Sequence, residues 1–197
     1  HMSKTTIPTG GLADAAVTTA KITDANITTA KIADDAVTAA KATGLGISEV
    51  DNWRLSSSFT GDATPITGWE RNDTDFDKIG TGLTHSSGTF SFPSTGIYLI
   101  TVIFKNSFNG DSRYCEGEIM VTSDNSSYTV RATNSQNIKQ TDSTTPVASS
   151  TSCIIDVTNT TNVKFQIRML VEDNGTTTSG SSTANITHFT SIRLGDT

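Results

Sequence analysis

Few side chains in this 197-residue sequence have the spacing that catalysis or metal binding needs. The histidines are His1, His85 and His188, and no His-x-His, His-x-x-x-His or paired-cysteine spacing occurs. Zinc and iron sites need several such ligands close together, so a single chain is not expected to hold either metal. We expect His188 to lie on the last strand, either as an ordinary hydrogen-bonded residue or as one of three copies that meet on a three-fold axis.

Carboxylates are the other chemically useful groups. Asp73, Asp75 and Asp77 alternate along one segment, and calcium takes oxygen ligands from such clusters. The segment lacks the glycine and the closing glutamate of a loop-type calcium site, so we expect a solvated loop and keep calcium only as a minor alternative. Paired acids such as Glu116 and Glu118 serve glycoside cleavage only at the right separation, and no Gly-x-Ser-x-Gly motif occurs. The sequence therefore predicts a protein that is not an enzyme, with no catalytic residues, no metal site and no cofactor.

Binding through surface loops is the remaining kind of function. Loops carry function on sandwich scaffolds, and aromatic side chains with polar neighbours suit sugar faces and protein epitopes. The candidate loops are 106–114, 122–128, 134–146 and 173–183. The candidate receptor-binding residues in them are Phe108, Arg113, Tyr114, Tyr128, Gln136 and Lys139. For each loop, ordinary solvent-exposed surface is the competing interpretation.

Composition excludes several other kinds of partner. The formal net charge is −6 and no basic run occurs, so nucleic acid is a poor partner. No apolar run approaches the length of about 18 residues that a membrane span needs, and we expect no membrane insertion. Cys115 and Cys153 permit one disulfide or two buried thiols; we favour thiols because both lie among apolar residues of predicted strands.

Residues 12–42 repeat a ten-residue unit three times, with one large aliphatic residue every five positions. A step of five advances about 500° around a helix, which displaces each aliphatic by roughly 140° from the last. In a strand, an odd step alternates faces. One chain therefore cannot bury these residues, whereas three copies around a common axis can. We predict a thin trimeric shaft whose interface residues are Leu12, Val17, Ile22, Ile27, Ile32 and Val37; a disordered Ala/Thr linker is the alternative.

The rest of the chain is organised around this repeat. We interpret 1–2 as a cloning scar, 3–11 as a leader, 12–42 as the shaft, 43–50 as a neck and 51–197 as a head. We expect the native protein to extend further towards its N-terminus, where an anchor to a larger particle would lie.

The head shows short apolar runs that alternate with turn clusters, a pattern typical of an antiparallel sandwich. About nine strands in 51–197 predict an all-β jelly roll, with a polar loop at 134–146. Residues 97–104 are apolar on both faces, which predicts the core on one side and a neighbouring subunit on the other. We assign the subunit interface to Tyr98, Ile100, Val102 and Phe104.

The repeat resembles the shaft repeats of bacteriophage tail fibres, especially those of marine phages. The residues that carry the resemblance are Ile-Thr-Thr-Ala-Lys-Ile-Ala-Asp at 27–34. This resemblance implies a trimeric fibre on a virion.

The head resembles a second family, the globular heads of complement and tumour necrosis factor. The similar runs are Phe76–Gly80, Ser87–Pro93, Gly96-Ile97-Tyr98 and Thr187–Leu194. The resemblance implies a ten-strand jelly roll that forms compact trimers on a trimeric stalk. No collagen-like Gly-x-y period occurs here, which favours a phage fibre over a complement or adipokine role.

Together these features predict a homotrimer that forms the receptor-binding tip of a phage tail fibre, at the distal end of the fibre on the virion. Its partners would be other copies of itself and a host surface glycan or outer-membrane protein. The alternatives are a structural trimerisation or capping module without a receptor site, a polysaccharide depolymerase, and a cellular globular-head protein.

Overall fold

The computed structural model describes residues 17–18, 22, 27–28, 32, 36–37, 46–73, 76–141 and 143–197. The chain divides into two compact units, His1–Leu45 and Gly46–Thr197, and this division falls inside the predicted neck. In the first unit, Leu12 and the conformation of the predicted shaft lie outside the described residues. The five described aliphatics of the repeat are between 40% and 55% exposed: Val17, Ile22, Ile27, Ile32 and Val37.

The second unit is built from strands, and its described residues include no helix. Twelve strands occur in the described chain: β1 (Val50–Leu55), β2 (Phe59–Thr60), β3 (Trp69–Arg71), β4 (Thr84–Ser86), β5 (Thr89–Ser91), β6 (Gly96–Phe108), β7 (Ser112–Thr122), β8 (Thr129–Ile138), β9 (Thr145–Val157), β10 (Lys164–Val171), β11 (Thr177–Thr178) and β12 (His188–Gly195). The predicted all-β class is therefore confirmed.

The strands form two antiparallel sheets. The first sheet has the order β2-β11-β6-β12-β1-β3, and β9 pairs with β6 along its whole length. The second sheet has the order β4-β5-β10-β7-β8. All neighbours in the first sheet, and two of the four neighbouring pairs in the second, are non-consecutive in sequence, as the crossovers of a double-sheet jelly roll require. The predicted sandwich is confirmed.

An aromatic cluster fills the core between the sheets. Phe90 is fully buried and stacks on Phe165 at 5.0 Å between ring centroids. Phe189 meets Phe90 edge-on at 4.7 Å, and Trp53 does so at 5.3 Å. Such edge-to-face and offset pairs add about 0.5–1.5 kcal/mol each beyond the burial of area. The cluster ties β1 and β12 of the first sheet to β5 and β10 of the second.

The inward face of β6 is the face that the sequence assigned to a subunit interface. Tyr98, Ile100, Val102 and Phe104 are at most 1% exposed and belong to the core of the single subunit. That interface assignment is therefore wrong. The pattern shows that both faces of the strand are apolar, but it does not show which face meets the second sheet. The outward face carries Ile97, Leu99 and Ile103 instead, which are partly or well exposed.

The predicted polar loop at 134–146 is also wrong in large part, because β8 continues to Ile138 and β9 begins at Thr145. β8 lies at the edge of the second sheet, where much of its surface faces solvent. A strand of this kind does not need the apolar alternation by which strands are recognised.

A buried carboxylate joins three segments near the β3 edge of the first sheet, where it pairs with the partly exposed Arg71. Asp51 is 2% exposed and accepts hydrogen bonds from Arg71 Nε at 3.0 Å, from Trp53 Nε1 at 2.9 Å and from the Leu83 amide at 2.8 Å. The carboxylate thus joins β1, β3 and the segment that leads into β4.

Both cysteines are free thiols. Cys115 is buried, and burial raises the pKa of its thiol. Cys153 is partly exposed, and burial of its sulfur raises the pKa of that thiol to about 11.

Candidate functional site

The two ends of the sandwich follow from strand direction. β1 begins at Val50, and β6 begins at the same end because Ile192 of β12 pairs with Val50 on one side and Leu99 on the other. β6 ends at Phe108 and the chain turns directly into β7. We call these the Val50 end and the Phe108 end.

Five of the six predicted receptor-binding residues lie towards the Phe108 end. Phe108 packs partly into the core, with its ring against Gly110 and Gly175. Tyr114 is 38% exposed and follows the β6–β7 turn, where its carbonyl accepts a hydrogen bond from the Glu172 amide. The others of this group are Arg113 on β7, Gln136 on β8 opposite Cys115, and Lys139 just after β8. The structure therefore brings loops 106–114, 134–146 and 173–183 together.

The two cations of this cluster are paired within the chain. Arg113 forms an ion pair with Glu172, and its backbone and side-chain hydrogen bonds lower the pKa of that carboxyl group. Lys139 forms an ion pair with Asp111, and this contact together with the Gln140 amide lowers the pKa of Asp111. Both pairs are largely exposed, so they contribute little to stability. They do balance the charge of this surface.

Tyr128, the sixth candidate, lies apart from the others. It follows β7 at the Val50 end, next to the turn in which Asp124 accepts hydrogen bonds from Thr122 and from two backbone amides. The six candidates thus form two separate groups.

A polar groove around Tyr128 crosses the outward face of the second sheet. Its volume is about 480 Å³. It is lined by Thr84, His85, Ser86, Thr89, Ser91, Asn125, Tyr128, Lys164 and Gln166. Tyr128 is the one candidate residue among them, and Asn125 belongs to the candidate loop 122–128, whereas the lining residues from β4, β5 and β10 were not predicted from the sequence. We refer to this feature as the polar groove.

An apolar row crosses the outward face of the first sheet. Ile79 bridges Val50, Val50 pairs with Ile192, Ile192 pairs with Leu99, and Leu99 pairs with Ile154. Directly opposite residues in an antiparallel sheet point to the same face, so these five side chains form one continuous stripe. Ile154 is 65% exposed and Ile79 is 49% exposed. Contiguous exposed apolar surface is typical of interaction sites.

The carboxylate segment that sequence reasoning associated with calcium has other contacts. Asp73 accepts a hydrogen bond from Arg54 Nη2 at 2.7 Å, and Asp77 accepts one from the Lys78 amide at 2.8 Å. Asp75 lies outside the described residues. Among the residues that the structure describes, no group of three or more His, Cys, Asp or Glu side chains is placed to hold a metal ion. His188 lies on β12 between Arg54 and Ile103, and burial lowers the pKa of its ring.

Within the described ranges, no helix has the length and apolar character that crossing a membrane would need.

Solved structures of other proteins share the fold of the head. The Eiger TNF of S. frugiperda matches with a TM-score of 0.57 at 12% identity, over 75% of this chain and 93% of that chain. Murine APRIL matches with TM-scores of 0.52 at pH 5.0 and 0.51 at pH 8.5, at 12% identity, over 74% of this chain and 98% of that one. No family model matches the chain, and no curated protein matches it. The head therefore has the jelly-roll fold of the tumour necrosis factor-like proteins.

Proposed function

We propose that this chain is the receptor-binding tip of a bacteriophage tail fibre. In this proposal it forms a homotrimer at the distal end of the fibre and attaches the virion to a glycan or an outer-membrane protein of the host surface. It acts by binding, without catalysis and without a cofactor.

The observation that carries this proposal is the exposure of the repeat aliphatics. Val17, Ile27 and Val37 are each more than half exposed in the single chain. They recur at a spacing that no single helix or strand can bury. Assembly with further copies would remove these side chains from water, as repeats that cannot bury a face alone require. The resemblance of this repeat to phage fibre shafts supports the virion location.

The apolar row supports self-association of the head. In place of the inward residues of β6, we propose that Leu99, Ile154 and their neighbours in the apolar row contact the adjacent subunit. A trimer would then present three copies of any receptor site, and avidity would multiply contacts that are individually weak.

The Phe108 end supports a binding role. It collects exposed aromatic and amide groups, among them Tyr114, at the end of the head opposite the start of β1. Adhesion contacts of this composition suit sugar faces and protein epitopes.

Adsorption inhibition tests the proposal. The soluble chain, added before phage that carry it on their fibres, is expected to occupy receptors on host cells and to lower the adsorption rate in a dose-dependent way. No inhibition at a concentration that saturates a labelled-protein binding assay, or no binding of the labelled protein to host cells, would overturn the receptor-binding function. Release of reducing sugar from host envelope would instead identify a depolymerase.

A structural capping module is the second candidate. Its specific support is the internal pairing of Arg113 with Glu172 and of Lys139 with Asp111, which leaves these charges engaged within the chain. A capping module would assemble as a trimer yet fail to inhibit adsorption, so the same assay separates the two functions.

A further inference from the structure

We propose that the polar groove binds an acidic saccharide, meaning a sugar that carries a carboxylate. This inference rests on the proposed receptor-binding function and deepens it, because it names the class of receptor and the surface that recognises it. The site would be the outward face of the second sheet rather than the loops of the Phe108 end.

Strand register makes the floor of the groove. Ser91 of β5 pairs with Thr84 of β4 and with Lys164 of β10. One step along the same face, Thr89 of β5 pairs with Ser86 of β4 and with Gln166 of β10. Paired residues point to the same side of a sheet. Two parallel rows of three polar side chains therefore lie next to each other.

These groups are available to a ligand. Six side chains of the groove make no hydrogen bond or ion pair with any described residue: Thr84, Ser86, Ser91, Asn125, Tyr128 and Lys164. Gln166 donates from Nε2 to the Thr89 hydroxyl at 2.9 Å, and its Oε1 stays free to accept. At the Phe108 end, by contrast, Arg113 and Lys139 are both paired.

The set of groups matches the chemistry of a sugar. Sugar hydroxyls both donate and accept hydrogen bonds, which hydroxyl and amide side chains can do in return. The Tyr128 ring offers an apolar face with a polar tip. A volume of about 480 Å³ is within the range of small-molecule sites. A ligand of one or two sugar units fits this combination.

Charge selects an acidic sugar. No aspartate or glutamate lines the groove, and Lys164 is the only cation that does so among the described residues. A carboxylate on the ligand would gain a charge-assisted hydrogen bond from the Lys164 ammonium. Asp124, next to Asn125, has its Oδ1 held by three hydrogen bonds inside its own turn.

His85 borders the groove, but its ring lies on the core side of β4, because His85 pairs with the buried Phe90. Its Nε2 accepts a hydrogen bond from the Gly88 amide at 3.0 Å, which places the ring proton on Nδ1. The ring stacks on Phe90 at 4.7 Å, and burial lowers its pKa. Lys164 is therefore the group that distinguishes acidic from neutral sugars.

The groove and the proposed subunit contact are on different sheets. The apolar row lies on the outward face of the first sheet, so a trimer built through it leaves the second sheet open. Each trimer would carry three grooves, and their avidity would raise the affinity for a polymeric glycan.

The test uses the full chain with digalacturonic acid and its neutral counterpart galactobiose as probes, in saturation-transfer NMR and calorimetry. Wild type is expected to bind the acidic disaccharide more tightly than the neutral one. Lys164→Gln is expected to lower the affinity for the acidic disaccharide by about tenfold or more and to leave the affinity for the neutral one unchanged. Tyr128→Ala is expected to lower the affinity for both disaccharides.

Two matched controls come from the Phe108 end. Tyr114→Ala and Lys139→Gln remove an exposed tyrosine and an exposed lysine of the other candidate group, and both are expected to bind as wild type does. Equal affinity for the two probes, no saturation transfer from the protein to the acidic disaccharide, or loss of binding in the controls instead of the groove variants would overturn the inference.

Binding of labelled protein to host cells separates this inference from the function on which it rests. Cell binding that Lys164→Gln and Tyr128→Ala retain in full would overturn the groove as the receptor site and leave the receptor-binding function standing. Sugar binding in the groove with no cell binding by any form of the protein would overturn the function.

Discussion

Replacing Ile154 with aspartate tests the apolar row as a subunit contact. Burying a whole isoleucine side chain contributes about 1.5–3 kcal/mol, and Ile154 is 65% exposed in the single subunit. Its burial in an assembly would thus contribute about 1–2 kcal/mol per subunit, or about 3–6 kcal/mol per trimer. Each 1.4 kcal/mol is a factor of ten, so Ile154→Asp is expected to lower the trimer association constant by about two to four orders of magnitude. The buried carboxylate adds to this loss.

The assay is solution mass by light scattering across a dilution series, on the Gly46–Thr197 unit so that the repeat cannot hold the subunits together. Val130→Asp is the matched control, since Val130 is 39% exposed on the edge strand β8 of the second sheet. We expect wild type and Val130→Asp to form trimers and Ile154→Asp to be monomeric. Trimers that survive in Ile154→Asp at the same dilution, or a wild-type head that is itself monomeric, would refute the reasoning.

Three further predictions concern stability, each read from thermal or denaturant unfolding. Gly117→Ala places a Cβ 2.4 Å from the buried ring of Phe104, and we expect it to lower the free energy of unfolding by about 1–3 kcal/mol. An unchanged unfolding midpoint would show that Phe104 does not pack closely against this position. Asp51→Ala leaves the Trp53 indole and the Leu83 amide without their acceptor and is expected to cost about 1–3 kcal/mol, whereas an unchanged free energy of unfolding would show that these contacts do not stabilise the head. Burial lowers the pKa of His85, so the unfolded chain binds the proton more readily. Stability should therefore fall as pH drops below the unfolded value of about 6.5. His85→Gln should reduce that slope to the part contributed by His188, whose pKa is lowered in the same way; a slope unchanged in the variant would assign the effect to His188 alone.

Alternation along the chain predicted the strands of the head well. Phe165, Ile167 and Met169 recur at every second position of β10, and all three are fully buried. The pattern reports which residues share a face, because side chains of a strand point alternately to its two sides. It does not report what covers each face, which is why Tyr98 and its neighbours on the inward face of β6 were assigned to a subunit interface.

The candidate site was predicted less well because it depends on contacts between distant segments. Lys164 and Thr84 are ordinary polar residues in sequence, and the groove arises only when β5 pairs with both of their strands. Tyr128 could be identified as an aromatic residue in a polar turn. Arg113 was predicted as a receptor-binding residue, and its ion-pair partner Glu172 could not be foreseen because it lies 59 positions away.

The pairing of β9 has a consequence for solubility during folding. This thirteen-residue strand pairs with β6 on one side, and in the described chain no strand forms a ladder with its other side. Its unpaired backbone groups can template the edge of a second molecule, and the exposed Ile154 lies beside them. Pro146 has no amide proton to donate, so it hinders pairing with a second molecule only near the start of the strand. A subunit that stays alone is therefore prone to open-ended aggregation, and prompt closure into a finite assembly would protect the chain as well as organise its adhesive surface.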